Sequence, residues 1–188
     1  MHRAVTPAPR SRSPRAEQIV ACARRLIEQG EGERLTMRRL GEELGIQAPS
    51  LYKHFADKQA ITAAVHVDYL RGQVDALAGA LADDDGQHPL VRVTHAFRDY
   101  AVSNAELYRF LFGLPYPRAE AGDVLKRLRV QWLKATGDSD LAVAAYALAR
   151  GMVDMELHSL YPVRENPSGA YAAGLAALVA RAGSLAPT

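Results

Sequence analysis

Apolar residues recur every three or four positions along most of this chain, and no segment shows the two-residue alternation of a half-buried strand. Ile19, Cys22, Ala23, Leu26 and Ile27 make the first stripe. Ser13 and Pro14 have the form of an N-cap followed by Pro at the first helical position, and Gly30 and Gly32 end the helix. Thr36 is placed to cap a second helix with Met37, Leu40 and Leu44 on its inner side, and Gly45 breaks it. A short third helix is predicted over 48–54. Asp57 is placed to cap a long fourth one, to about residue 81, that carries Ile61, Val65, Tyr69, Leu77 and Leu81 on one side. Asp83 to Gly86 read as a solvated loop. Pro89 opens a further helix with Leu90, Val93, Phe97, Tyr100 and Ala101, and more helices are predicted over 105–112, 119–136, 138–160 and 168–182. The expected fold is all-α: an N-terminal three-helix unit with a helix-turn-helix, and a larger helical body.

The first twelve residues carry Arg3, Arg10 and Arg12 among Pro, Ser and Thr and no acid, and read as a disordered basic arm. The expected divisions are thus 1–12 for the arm, 13–58 for the small helical unit and 59–188 for the body. Charge follows the same division. The 188 residues hold 23 Lys and Arg against 21 Asp and Glu, but residues 1–58 hold 11 against 7. A basic N-terminal portion ahead of a near-neutral body is one footprint of nucleic-acid binding. Hydrophobic content of 48% and charged content of 23% are ordinary for a globular protein. The single cysteine, Cys22, excludes an internal disulfide. No run approaches the roughly 18 apolar residues of a membrane span, so a cytoplasmic protein without membrane partners is expected.

The stretch "IQAPSLYKHFADKQAI", residues 46–61, mixes aromatics with cations. Helix, glycine turn, helix over 36–54 resolves the mixture. Leu51 and Phe55 share one side and close a core with Leu40, Leu44 and Ile46. Gln47, Ser50, Lys53 and His54 face away, with Tyr52 beside them. In such a pair the second helix enters the major groove with its N-terminal end at the bases.

"LTMRRLGEELGIQAPSLYKHFADKQAI" resembles the DNA-binding domain of the TetR family of bacterial transcriptional regulators. The matches are Thr36, Leu40, Gly41, Leu44, Gly45, Ile46, Leu51, Tyr52, His54, Phe55, Lys58 and Ile61, in ungapped register. Gln47 replaces the family's Ser cap, Gly41 its Ala and Gln59 its Glu. The body is similar to one branch of the family, marked by a Leu-Tyr-x-x-Phe segment, here "AELYRFLFG" (105–113), and a late Trp/His-Gly helix, here "ALARGMVDMELHSLY" (147–161), where Arg150 stands in place of the His before Gly151.

The residues and the resemblance together define the candidate sites. Thr36, Arg38 and Arg39 are expected to reach phosphates at a helix N-terminus. Gln47, Ser50 and Lys53 are candidates for base edges, Gln with adenine and Lys with guanine. Tyr52, His54 and Lys58 are expected to grip the backbone; for His54 a satisfied core histidine is the alternative. In the body, Phe97, Tyr100, Tyr108, Phe112, Trp132, Met152, Met155 and His158 are core residues by spacing, and candidates for lining a ligand cavity. His95 and Asp99 form a single i, i+4 pair, which without a second motif argues no metal site. No motif of a hydrolase, kinase or dinucleotide enzyme is present. Helices 138–160 and 168–182 are rich in small residues, among them Ala142, Ala145, Ala149, Gly151, Ala173, Gly174 and Ala177, and are expected either to pack within the chain or to form a four-helix homodimer interface. The expected function is a homodimeric regulator, a repressor of a palindromic double-stranded DNA operator answering to a small-molecule effector, with no other cofactor. The alternatives are an activator, or a ligand-binding or enzymatic protein on the same fold.

Overall fold

The computed structural model describes residues 12–159 and 167–184, all helix, turn or coil with no strand among them. It divides into two compact units at Val65/His66. This division lies seven residues beyond the expected boundary at 58/59, within the fourth helix. The arm up to residue 11 lies outside the described residues. Arg12, assigned to that arm from sequence, instead donates from Nη2 to the Ala64 carbonyl at 3.3 Å.

In the N-terminal unit, α1 spans Pro14–Glu28, α2 Met37–Leu44 and α3 Ala48–Leu51, and α4 (Lys58–Ala82) begins there. Ser13 Oγ accepts from the Ala16 N–H at 3.3 Å and Thr36 Oγ1 from the Arg39 N–H at 3.0 Å, each satisfying a helix-start donor. A one-turn 3₁₀ helix, Gly32–Arg34, joins α1 to α2. Its exit brings Leu35 fully inside, beside Ile19, Leu26, Ile27, Leu40 and Leu51 in the buried core. Gly45 ends α2 in the left-handed region at φ 64°. Gly41 is needed for close approach: a Cβ there would lie 2.7 Å from the Ile46 carbonyl oxygen. The third helix is shorter than predicted. It stops at Leu51, and residues 52–54 continue as turn, with the His54 and Phe55 N–H groups both donating to the Leu51 carbonyl at 2.9 and 3.0 Å. Two donors converging on one acceptor replace the regular ladder and end the helix.

The second unit holds the rest of α4, then α5 (Pro89–Ser103), α6 (Ala105–Phe112), α7 (Arg118–Thr136), α8 (Ser139–Leu157) and α9 (Pro167–Gly183). Helices α5, α7 and α8 pack on one another, α9 lies against α8 and α5, and α6 against α5. Their shared interior is aromatic. Phe97, Trp132 and Tyr146, one from each of α5, α7 and α8, meet edge to face at centroid distances of 5.7–5.9 Å. Helix α8 ends three residues before the predicted 160: His158 caps it and Ser159 turns left-handed at φ 53°. The small residues of α8 are partly spent inside the unit. Ala142, Ala145 and Ala149 are buried, and a Cβ on Gly174 of α9 would come within 3.1 Å of Leu148. The exposed set is a different one: Ala144, Ala147 and Gly151 on α8, with Ala173, Ala176, Ala177 and Ala180 on α9.

Gly72, in the middle of α4, is a second glycine with a packing role. A Cβ there would fall among the Tyr100 ring atoms, 2.9 Å from Cζ, and the Tyr100 hydroxyl next to it donates to the Tyr69 carbonyl at 3.0 Å. Gly→Ala inside a helix normally stabilises by about 1 kcal/mol. Gly72→Ala is expected to reverse that sign and to cost about 1–3 kcal/mol in chemical denaturation, because the rigid ring must leave its pocket.

Candidate nucleic-acid interface and interior cavity

The α2–turn–α3 segment is built so that one residue anchors it and its neighbours face outward. Leu51 is 0% exposed, with Leu40 equally buried behind it, while Phe55, Leu44 and Ile46 are half-buried. Around this anchor Gln47, Tyr52, Lys53, His54 and Lys58 are exposed and Ser50 is half-buried. Tyr52 keeps 55% of its surface in water, which leaves ring and hydroxyl free for a partner. His54 is on the surface, which removes the core alternative. Gln47 stands at the N-cap of α3 without a side-chain cap bond, so its amide is uncommitted. Lys53, His54 and Lys58 have no ion pair among the described residues. Asp57 caps α4, accepting from the Ala60 N–H at 2.8 Å, which holds Lys58 at the start of that helix.

The α2 cations are placed differently. Arg38 pairs with Glu42 at 3.3 Å, and Arg39 lies between Glu43 at 2.9 Å and Glu31 at 3.3 Å. These exposed pairs are weak, at about 0.2–1 kcal/mol each, so a phosphate can compete for the guanidinium groups. The Thr36 hydroxyl oxygen accepts the Arg39 N–H, leaving its own proton for an outside acceptor. The expected site residues therefore fall into a free set on α3, the turn after it and the start of α4, and a set at α2 in which the Thr36 cap accompanies two carboxylate-paired arginines.

In the body the eight candidate residues do not form one site. Phe97, Tyr108 and Trp132 are buried, and Phe112 stacks against Tyr108 at 4.5 Å. Tyr108 donates from its hydroxyl to Asp154 at 2.7 Å, and Arg150 lies 4.5 Å over the Phe112 ring. Met152 lines a groove of about 720 Å³ between α5, α8 and α9, where Arg98 clamps Glu156 through two bonds of 2.6 and 2.8 Å. Met155 and His158 line neither this groove nor the cavity described next; His158 is an exposed helix cap. A cavity of about 520 Å³ opens between α7 and α8, with Leu125, Leu128, Trp132, Tyr146 and Tyr116 as walls and Arg118 and Arg129 at its edge. Of the eight, only Trp132 belongs to it. The arginines and leucines of α7 recur on one face at 118, 125 and 129, a spacing visible in sequence that a search keyed on aromatic residues passes over.

Three further polar side chains lie on the inner face of α4 at helical spacing: His66, Tyr69 and Gln73. They are 2%, 0% and 0% exposed, and the His66 Nε2, the Tyr69 hydroxyl and both Gln73 amide atoms have no hydrogen-bond partner among the described residues. Aromatic rings enclose His66, Tyr116 at 4.8 Å and Phe112 at 5.2 Å. Burial, and secondarily the Arg150 charge, lower its pKa from 6.5 to about 4. The unfolded chain therefore binds more protons than the folded one between those values. The His66 contribution is complete above about pH 6.5 and is lost as pH falls towards 4. The expected loss is about 2–3 kcal/mol. Thermal denaturation across that window is expected to show a shallower pH slope for His66→Phe than for the natural chain.

A glycine-turned helix pair with a buried apolar seam and free amide, hydroxyl and ammonium groups on its second helix defines the helix-turn-helix class. Residues 19–65 match the family described as bacterial regulatory proteins, tetR family. The chain is 31% identical over 91 residues to the class A tetracycline repressor protein from transposon 1721 of Escherichia coli, covering 48% of this chain and 37% of that protein. It is 27% identical over 92 residues to the uncharacterized HTH-type transcriptional regulator YobS of Bacillus subtilis, covering 49% and 48%. The matched segment thus spans less than half the length of either relative. In fold, the chain is similar over 93% of its length to the whole of protein SCO4313, with a TM-score of 0.74 at 20% identity. It is also similar to the multidrug binding protein EbrR complexed with imidazole, with a TM-score of 0.68 at 19% identity over 89% of this chain and 94% of that one. Residues 19–65 thus carry the DNA-binding domain of that family. No described helix is long and apolar enough to cross a membrane.

Proposed function

We propose that this protein binds a near-palindromic operator as a homodimer and represses transcription until a small molecule occupies its helical body. One observation carries the DNA-binding half: Gln47 and Lys53 are exposed and uncommitted on a segment pinned from behind by the fully buried Leu51. Gln47, Ser50 and Lys53 read base edges, and Tyr52, His54, Lys58, Thr36, Arg38 and Arg39 hold the phosphates. Two such segments enter successive major grooves about 34–36 Å apart. The exposed small-residue faces of α8 and α9 suit close helix approach between two copies, which is the assembly that doubles the reading segment.

The effector half is supported by the cavity between α7 and α8 and by the unpartnered polar atoms of α4. A ligand that meets His66, Tyr69 or Gln73 gains hydrogen bonds from groups already removed from water. Helix α4 carries those residues and also begins in the DNA-binding unit, so a ligand acting on it has a covalent route to the reading segment. A coupling of about 1–3 kcal/mol suffices to change operator occupancy between about fivefold and over a hundredfold. The test is an electrophoretic mobility shift with DNA flanking the protein's own gene, together with sedimentation of the free protein. A salt-sensitive shift by a dimer is expected. A monomer that ignores this DNA and a genomic fragment library at low salt rejects the reading.

A further inference from the structure

Helix α7 carries cations of two kinds. Lys126 pairs with Asp123 at 3.3 Å and Arg127 with Asp75 at 3.5 Å. Arg118 has no carboxylate partner among the described residues, and Arg129 is held only by a neutral group, donating to Ser139 Oγ at 2.9 Å. These two are the ones that border the α7–α8 cavity. They lie eleven residues apart, three helical turns, so both project from nearly the same side, about 16 Å from each other along the axis. Between them the wall is Leu125 and Leu128, and beyond Arg129 it is Trp132. Among the described residues no carboxylate lines the cavity.

The two ends differ. The start of α7 has its Arg118 N–H bonded to the Tyr116 carbonyl at 2.8 Å and Glu120 in its first turn, so the guanidinium is the cation that this end offers. At the far end Trp132 is 2% exposed and its indole N–H is buried with no acceptor among the described residues. A cationic head and an apolar channel walled at its far end by an aromatic ring describe the complement of one kind of molecule.

We propose that the α7–α8 cavity takes an elongated aliphatic carboxylate, its carboxylate against Arg118 and its chain over Leu125 and Leu128 towards Trp132. This identifies the chemical class of the effector and rests on the effector reading proposed for the helical body. From Arg118 to Trp132 the helix rises about 21 Å, so a chain of medium length is needed to reach the indole. Short acids satisfy the head alone. An alcohol of equal length fills the channel but leaves the guanidinium unmet, and an alkylammonium is repelled.

Trp132 is the only tryptophan in the chain, so its emission reports on the cavity wall directly. The experiment titrates the full-length protein, without DNA, with dodecanoate, butyrate, dodecanol and dodecyltrimethylammonium, each below its micelle concentration. Dodecanoate is expected to shift the emission saturably and to bind at least tenfold more tightly than the other three. Arg118→Gln, at an exposed position where folding is not at risk, is expected to weaken dodecanoate at least tenfold and dodecanol less than twofold. Lys126→Gln, a paired cation that does not border the cavity, leaves both unchanged. Absence of a dodecanoate response, equal affinity for the alcohol or the cation, or an Arg118→Gln protein that binds as the natural one does, each overturns the proposal. The readout needs no DNA, so the mobility shift still tests the regulator reading independently if the cavity rejects the acid.

Discussion

Replacing Lys53 by glutamate is expected to lower operator affinity by about 2–6 kcal/mol, that is, by a factor of about 30 to 10⁴. One cationic base contact is worth about 1–3 kcal/mol, and a homodimer presents the lesion twice. Reversal adds repulsion from the phosphates. The free protein is expected to be unaffected, because Lys53 is exposed and makes no ion pair among the described residues. Milder variants separate its role from that of its neighbour. Lys53→Ala should relax the preference at one operator position, whereas Lys58→Ala should weaken all sequences alike and flatten the dependence of log affinity on log salt. Fluorescence anisotropy with a panel of operator variants at two salt concentrations reads both. Wild-type affinity in both alanine proteins at fixed salt would place the reading surface elsewhere.

Leu51→Ala is the second large effect, and it acts from the inside. Truncating a fully buried leucine costs about 2–5 kcal/mol. Here the cost falls on a small helical unit with a small core, and on the residue that fastens α3 to Leu40. The His54 and Phe55 N–H groups both end on the Leu51 carbonyl, so a shift of this residue also loosens the turn that carries Tyr52, Lys53 and His54. Operator binding is expected to vanish while most of the helical circular dichroism, which comes from the larger unit, remains. Two thermal transitions in place of one, the earlier lowered, are the expected calorimetric trace. A Leu51→Ala protein that binds operator normally would show that this leucine does not hold the reading segment.

Much of the helix-turn-helix is legible in the sequence. Thr36 as a cap, Gly45 as a left-handed stop and Leu51 as an inward anchor all follow from local rules, because caps, turns and helical periodicity act over a few residues. Where local rules compete, the expectation slips. Nothing in the spacing of 48–54 says that two amides converge on one carbonyl and end α3 at Leu51. The Arg38–Glu42 and Arg39–Glu43 pairs have the i, i+4 spacing of one helix and are readable in the sequence, whereas the second partner of Arg39, Glu31, eight residues earlier, is brought there only by the fold.

The body is legible as helices but not as a site. Aromatic residues at helical spacing mark Phe97, Tyr108 and Trp132 correctly as interior, yet whether a ring packs on a ring or walls a cavity depends on which helix faces it. Ala142, Ala145 and Ala149 illustrate the same point, since a small residue permits close approach to any partner and specifies none.

The sequence by itself determined that the described residues fold as helices joined by turns, where most of those helices begin and end, and that residues 36–58 turn an amide, a hydroxyl and cations outward. Those outcomes depend on interactions within a turn or two of the chain. Only the tertiary structure decided which cations are already neutralised, that three polar side chains of α4 are buried without partners, and that Arg118 and Arg129 flank an apolar channel ending at the one tryptophan. Each of these is a relation between residues brought together by packing, and packing is settled by the whole set of helix faces at once.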